Sequence, residues 1–230
     1  MAYKHLFFDL DHTLWDFERN SAETLAELHE EFALAEHGLR SVADFQRVFC
    51  ATNVQLWRAY DTNQISQAEL RHGRFRRVFS ELGVNDHGCC DALNEAYLIR
   101  CPQKGHLVQY AAELLDYLAP RYTLHVITNG FDEIQTLKMK YAGLTRYFRH
   151  VTTSQNSGAK KPDVRIFTHA LGRAGCCAGE SLMIGDNCET DIAGGRAAGL
   201  DTVFYNPARV STTERPTYTI HHLRELTAIL

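Results

Sequence analysis

The stretch FFDLDHTLWDFERNS, residues 7–21, places two aspartates one residue apart where a short apolar run ends. Runs of that length bounded by polar residues read as buried strands. In an extended strand, residues i and i+2 project to the same side, about 6.5 Å apart at the Cα atoms. Asp9 and Asp11 are therefore expected to face one spot at the carboxyl end of the first strand. A solvated acidic turn also accounts for two adjacent aspartates, so the rest of the chain has to decide between them.

Further along, YTLHVIT (122–128), SLMIG (181–185) and DTVFY (201–205) have the same apolar character, and HVTTS (150–154) is a weaker candidate. Helical patterns lie between them, in VQYAAELLDYLA (108–119), FDEIQTLKMKYA (131–142) and VRIFTHALGRA (164–174). Strands alternating with amphipathic helices predict an α/β fold, a doubly wound and mainly parallel sheet. From about residue 16 to 98 only helical pattern is found. Asn20 or Ser21 can cap a helix running to about His37, and Ser41 can cap the next. Ser66-Gln-Ala-Glu69 is a capping box for a third, with Phe75, Val78, Phe79 and Leu82 on one apolar face. A further helix near 88–100 stops before Pro102. The expected organisation is a core of residues 1–15 and 103–230 with an all-helical insert at 16–102.

The chain has 230 residues, 45% of them hydrophobic and 23% charged, which is the balance of a globular protein with one sizeable domain or a core and a smaller one. A net charge of −4 gives no reason to expect nucleic acid or an anionic membrane as a partner. No apolar run approaches the roughly 18 residues of a membrane-spanning helix. MAYKHLFFDLD meets an acid too early for a secretory signal. Seven cysteines, with no CxxC among them, fit free thiols in a reducing cytoplasm.

Open α/β sheets bind ligands at the carboxyl ends of their strands. At those ends the chain places Asp9 and Asp11, then Thr128-Asn129-Gly130, then Lys161-Pro162, then Gly185-Asp186 with Asp191. A hydroxyl and free amides at a helix N-terminus suit a phosphate. Pro162 is expected in the first turn of a helix, holding Lys161 at the sheet edge. Each motif alone has a structural explanation as a cap, a loop or an exposed lysine. Their joint occurrence, in order, favours a site.

The series Asp9-x-Asp11-x-Thr13, strand–Thr128, Lys161-Pro162 and Gly185-Asp186-x4-Asp191 resembles the haloacid dehalogenase-like hydrolase superfamily. The position of the insert resembles its type I helical cap. The resemblance implies a Mg²⁺-dependent phosphohydrolase, with Mn²⁺ as an alternative ion, working through an aspartyl-phosphate. In that reading Asp9 is the nucleophile and Asp11 the general acid and base. Thr128 and Lys161 hold the phosphoryl oxygens, with Asn129 and Gly130 beside them. The metal takes Asp9, the Asp11 carbonyl and Asp186, and Asp191 supports either the metal or Lys161. Charge balance points the same way, because four ionised aspartates against one lysine would repel a phosphate unless a hard cation were bound. Dehalogenases of the superfamily lack an aspartate at the place of Asp11, which favours phosphate esters.

Within the superfamily, FDLDHTLWDFERNS resembles the pyrimidine 5′-nucleotidases, implying UMP, dUMP and dTMP as substrates. Trp15 and Phe17 then offer aromatic faces for stacking on a base, with hinge or core packing an equal alternative. Trp57 and Tyr60 fit core packing better than a ligand surface. RHGRFRR (71–77) reads as a solvated helix face, and His12 is expected to point away from the aspartates. The partner is a small phosphorylated molecule, a nucleotide in this reading, and the chain is a monomer or homodimer. A phosphatase for phosphoglycolate or a sugar phosphate, or a phosphomutase, uses the same residues. A phosphate-receiver module is disfavoured by the chain's length and insert.

Overall fold

The computed structural model describes residues 3–85 and 88–230. In chain order the elements begin with β1 (His5–Phe8), α1 (Phe17–Glu31), α2 (Val42–Asp61), α3 (Gln67–His72), α4 (Arg74–Glu81) and α5 (Cys90–Arg100). They continue with α6 (Ala111–Leu118), β2 (Thr123–Thr128), α7 (Asp132–Tyr141), β3 (Phe148–Thr153), α8 (Ser154–Ser157) and α9 (Val164–Ala174). The last are β4 (Ser181–Gly185), α10 (Ala193–Ala197), β5 (Asp201–Tyr205), β6 (Tyr218–Ile220) and α11 (Leu226–Ile229). Two compact units result, Met1–Asp16 with Gly105–Leu230, and Phe17–Lys104.

The first unit is built on one parallel sheet in the order β3-β2-β1-β4-β5-β6. Leu6 and Phe8 stand in register with Leu124 and Val126 on one side and Leu182 and Ile184 on the other. Phe7 lies between His125 and Met183. Both sets are buried. A parallel sheet covered on both faces has no polar side, which is why its strands read as uninterrupted apolar runs. On one face Phe7, Ile127 and Met183 pack with Ile166, Phe167 and Ala170 of α9. The chain runs outward through β2 and β3, then returns across β1 to β4. Strand order therefore reverses between β1 and β4, the switch point at which such sheets bind ligands.

Several details differ from the sequence reading. β6 has no apolar run and buries only Ile220, so an edge strand of three residues leaves almost no pattern to read. Pro162 does not open a helix; α9 starts at Val164, capped by Asp163, whose Oδ1 accepts from the Arg165 amide at 2.9 Å. α1 runs from Phe17 to Glu31, so Asn20 and Ser21 lie buried inside it instead of capping it, and turns fill the interval from Glu31 to His37.

The second unit is helical. Ser41 caps α2, and Ser66 with Glu69 forms the capping box of α3. The third predicted helix is broken at Gly73 into α3 and α4, a residue that weakens a helix interior by about 1 kcal/mol relative to alanine. α4 then turns Arg74 inward. It is 5% exposed, with its guanidinium 5.6 Å from the Phe49 ring and 5.4 Å from the Tyr97 ring. RHGRFRR is thus not a uniformly solvated face. Arg76 does point outward, pairing with Asp91 at 2.8 Å. Trp57 and Tyr60 are half-buried and pack edge to face, 5.8 Å apart. None of the seven cysteines is in a disulfide. Among the described residues no helix is long and apolar enough to cross a membrane.

Candidate active site

β1 ends at Phe8, but the Asp9 amide still donates to the Ile184 carbonyl of β4 at 2.9 Å, so Asp9 continues the line of the sheet. The chain then folds back on itself. The amides of Leu14 and Trp15 both reach the Leu10 carbonyl, at 2.9 and 2.8 Å, and His12 takes a left-handed conformation with φ 61°. Asp11 forms an isolated bridge with Trp15, just past the end of β1, and the carboxylates of Asp9 and Asp11 have different partners. The turn itself is His12–Leu14, so the strand argument for the direction of His12 does not hold.

Lys161 is 3% exposed and joins three segments. Its ammonium donates to Asp9 Oδ1 at 2.5 Å, to Asp191 Oδ1 at 2.6 Å and to the Ile127 carbonyl at 3.0 Å. Asn129 fixes the backbone of this lysine, accepting from its amide at 2.7 Å and donating to its carbonyl at 3.0 Å. The Asn129 side chain is thus committed to Lys161. The fully buried Asp191 accepts from the Asn187 amide at 3.1 Å through its other oxygen. A side chain on Gly185 would collide with the Asp191 carboxylate, which gives the glycine of Gly185-Asp186 a steric reason. Asp186 Oδ1 accepts from the Thr13 hydroxyl at 3.2 Å.

Carboxylate oxygens of Asp9, Asp186 and Asp191 all lie within 4.8 Å of one another. Burial pushes the Asp9 carboxyl up to about 7, against the pull of Lys161 and with the push of Asp191. Burial and the neighbouring Asp9 raise Asp186 to about 6. Asp191 is raised too, first by burial and then by Asp186. Burial alone would lower Lys161, but Asp191 and Asp9 hold it above its ordinary range. Three crowded carboxylates sharing one lysine, with oxygen donors alone, can hold a hard divalent cation.

On the other side of the site, Asp11 is gripped from α7. Lys138 Nζ donates to its Oδ1 at 2.5 Å and Gln135 Nε2 to its Oδ2 at 2.9 Å. Burial pushes Asp11 up, but the Lys138 charge and these two bonds more than offset it, leaving the carboxyl below its usual range. Gln135 Nε2 also lies 2.7 Å from Thr128 Oγ1, which accepts from the Gly130 amide at 3.1 Å as well. A Cβ on Gly130 would occupy the place of the Gln135 amide. Trp15 is fully buried, with the Lys138 ammonium 4.4 Å from its ring centre, so it has no open face for a base. Phe17, half-buried, is the first residue of α1.

Lys138 and Gln135 were not among the residues the sequence singled out. Their signal is local. With Met139 they are buried on α7 at i, i+3 and i+4, where an apolar stripe is expected. Two long polar side chains on a buried helix face need partners.

The haloacid dehalogenase-like hydrolase family model matches residues 3–199. Pyrimidine 5′-nucleotidase PynA of Streptococcus pneumoniae is 36% identical over 231 residues, covering 98% of this chain and 94% of that protein. Pyrimidine 5′-nucleotidase YjjG of Escherichia coli is 32% identical, covering 100% and 99%. The crystal structure of the HAD-hydrolase YfnB from Bacillus subtilis, bound to magnesium, superposes with a TM-score of 0.88 at 29% identity, covering 100% of this chain and 99% of that one. From the strand-end motifs to these full-length likenesses, the chain belongs to the haloacid dehalogenase-like hydrolase family.

Proposed function

We propose that this hydrolase is a divalent-cation-dependent phosphatase that releases phosphate from pyrimidine nucleoside 5′-monophosphates such as UMP, dUMP and dTMP. The observation that carries the phosphatase reading is the opposed setting of its two strand-end aspartates. Asp9 shares Lys161 with Asp191 beside the three-acid cluster, whereas Asp11 is held separately by Lys138 and Gln135. Paired carboxylates in different environments are suited to different roles in one reaction. The nucleotide part is supported by the two 5′-nucleotidase relatives aligned along nearly the whole chain.

In this reading an oxygen of Asp9 attacks phosphorus, and the bond from phosphorus to the ester oxygen breaks with its electron pair leaving on that oxygen. Asp11, protonated by the hydrolytic water of the preceding turnover, passes that proton to it, so the nucleoside departs with a free hydroxyl. Water then attacks the phosphorus of the aspartyl-phosphate and gives its proton to Asp11, regenerating Asp9 and releasing inorganic phosphate. The Thr128 hydroxyl and the Lys161 ammonium hold phosphoryl oxygens. Asp9 and Asp186, with the Asp11 carbonyl, would hold Mg²⁺, which neutralises the cluster and the incoming phosphate when bound. Asp191, both of whose oxygens are engaged by Lys161 and Asn187, serves to place Lys161. The helical unit acts as the cap.

A phosphate-release screen with Mg²⁺ across nucleotides, sugar phosphates and phosphoglycolate tests this. The expected result is the highest kcat/KM on the pyrimidine monophosphates with no acceptor added. A clear preference for a sugar phosphate would remove the nucleotide assignment, and release only in the presence of an acceptor would mark a transferase.

A further inference from the structure

We propose that Gln135 and Lys138 are positioning residues that aim the Asp11 carboxylate at the leaving oxygen. The inference deepens the phosphatase reading above and rests on its role for Asp11. Each residue takes a different oxygen of Asp11, Lys138 Oδ1 at 2.5 Å and Gln135 Oδ2 at 2.9 Å. Two contacts to two oxygens fix the rotation of a carboxylate, which a single contact leaves free. A carboxylate offers about four lone-pair positions, so each oxygen keeps capacity for a proton or water.

Gln135 does more than anchor. Its one amide nitrogen lies 2.9 Å from Asp11 and 2.7 Å from the Thr128 hydroxyl, tying the proton-transfer group to a group that holds the phosphate. The sequence makes room for that bridge. Any side chain at position 130 would overlap the Gln135 amide, and Gly130 also gives its own N–H to Thr128. Lys138 is fixed in turn by lying over the buried Trp15 ring at 4.4 Å, so the tryptophan supports this arrangement. Gln135 and Lys138 sit one helical turn apart on α7, which is how a helix presents two groups to one target.

The test uses leaving-group dependence, which a merely structural role would not change. A nucleoside alkoxide needs a proton as it departs, whereas p-nitrophenolate leaves readily without one. The variants are Gln135→Leu and Lys138→Met, with Asp11→Ala as the reference, assayed on UMP and p-nitrophenyl phosphate with Mg²⁺. In both positioning variants kcat/KM for UMP is expected to fall by about 100-fold and that for p-nitrophenyl phosphate by no more than about 3-fold. Lys138→Arg should recover part of the loss. Should either variant misfold, Gly130→Ala displaces the Gln135 amide by another route and is expected to show the same split. Equal losses on the two substrates, or none, would overturn the proposal. If Asp11→Ala shows the split and the α7 variants do not, the positioning role fails while the phosphatase reading stands. If Asp11→Ala itself shows no split, both fail.

Discussion

Single atoms decide what this site tolerates. Gly185 has no Cβ because the Asp191 carboxylate fills that space, and Asp191 in turn takes one of the three hydrogen bonds of the Lys161 ammonium. Gly185→Ala should therefore push Asp191 aside and unseat the lysine. We expect a stability loss of about 1–3 kcal/mol from overpacking and a fall in kcat/KM of about 100-fold from the misplaced charge. A variant crystallising with the Lys161–Asp191 contact intact and full activity would contradict the steric argument. Asp9→Asn probes the chemistry instead of the space. Burial raises the Asp9 carboxyl and so disfavours its charged form, which lessens the cost of a neutral amide in its place. The fold should survive, with Tm nearly unchanged, while kcat falls by at least about 10³-fold because the nucleophile is gone. Substantial turnover in the folded variant would remove Asp9 from its role.

Across β1, β2 and β3 a row of histidines adds a pH sensitivity that lies outside the proposed chemistry. His125 is buried, 3.2 Å from His5 through ring nitrogens and stacked on Phe7 and His150 at 4.7 and 5.5 Å. Burial, then the charges of His5, His150 and Arg149, lower it from 6.5 to about 3. The unfolded imidazole takes a proton near 6.5 while the folded one refuses it down to about 3. Stability is therefore whole above that upper value and declines as pH falls through the interval. Tm of the wild type should drop below about pH 6.5, and His125→Phe should flatten the slope; parallel slopes would dismiss the ladder as its cause. The same strands show what the sequence makes legible. β1, β2, β4 and β5 are readable because burial on both faces makes most of their side chains apolar, and the acids that follow β1 and β4 stand out against them. β6 is not readable because an edge strand buries one residue in three. The α3–α4 break depends on one glycine within a pattern whose apolar spacing continues across it. The residues that grip Asp11 lie on a helix face far away in sequence, and only the fold brings them to the turn after β1.

For the molecule as a whole, the site is an electrostatic debt carried by an otherwise well-packed sheet. The sequence reading counted one lysine against four aspartates; the structure adds Lys138, which lessens the excess and places it away from the three-acid cluster. What remains uncompensated sits at Asp9, Asp186 and Asp191, all with raised carboxyls. A cation that binds this cluster only when the chain is folded must stabilise the fold, by about 2.7 kcal/mol at 100 times its Kd. For a chain of this size that is about 5–10 °C in Tm. Mg²⁺ added to chelator-treated protein is expected to raise Tm by that amount and to restore phosphatase activity at the same concentrations. Asp186→Asn should lose both responses while folding normally without the ion, since it removes a ligand and a repulsive charge together. A Tm indifferent to Mg²⁺ in the wild type, or rising equally in Asp186→Asn, would place the cation elsewhere and leave the acid cluster without its compensating charge.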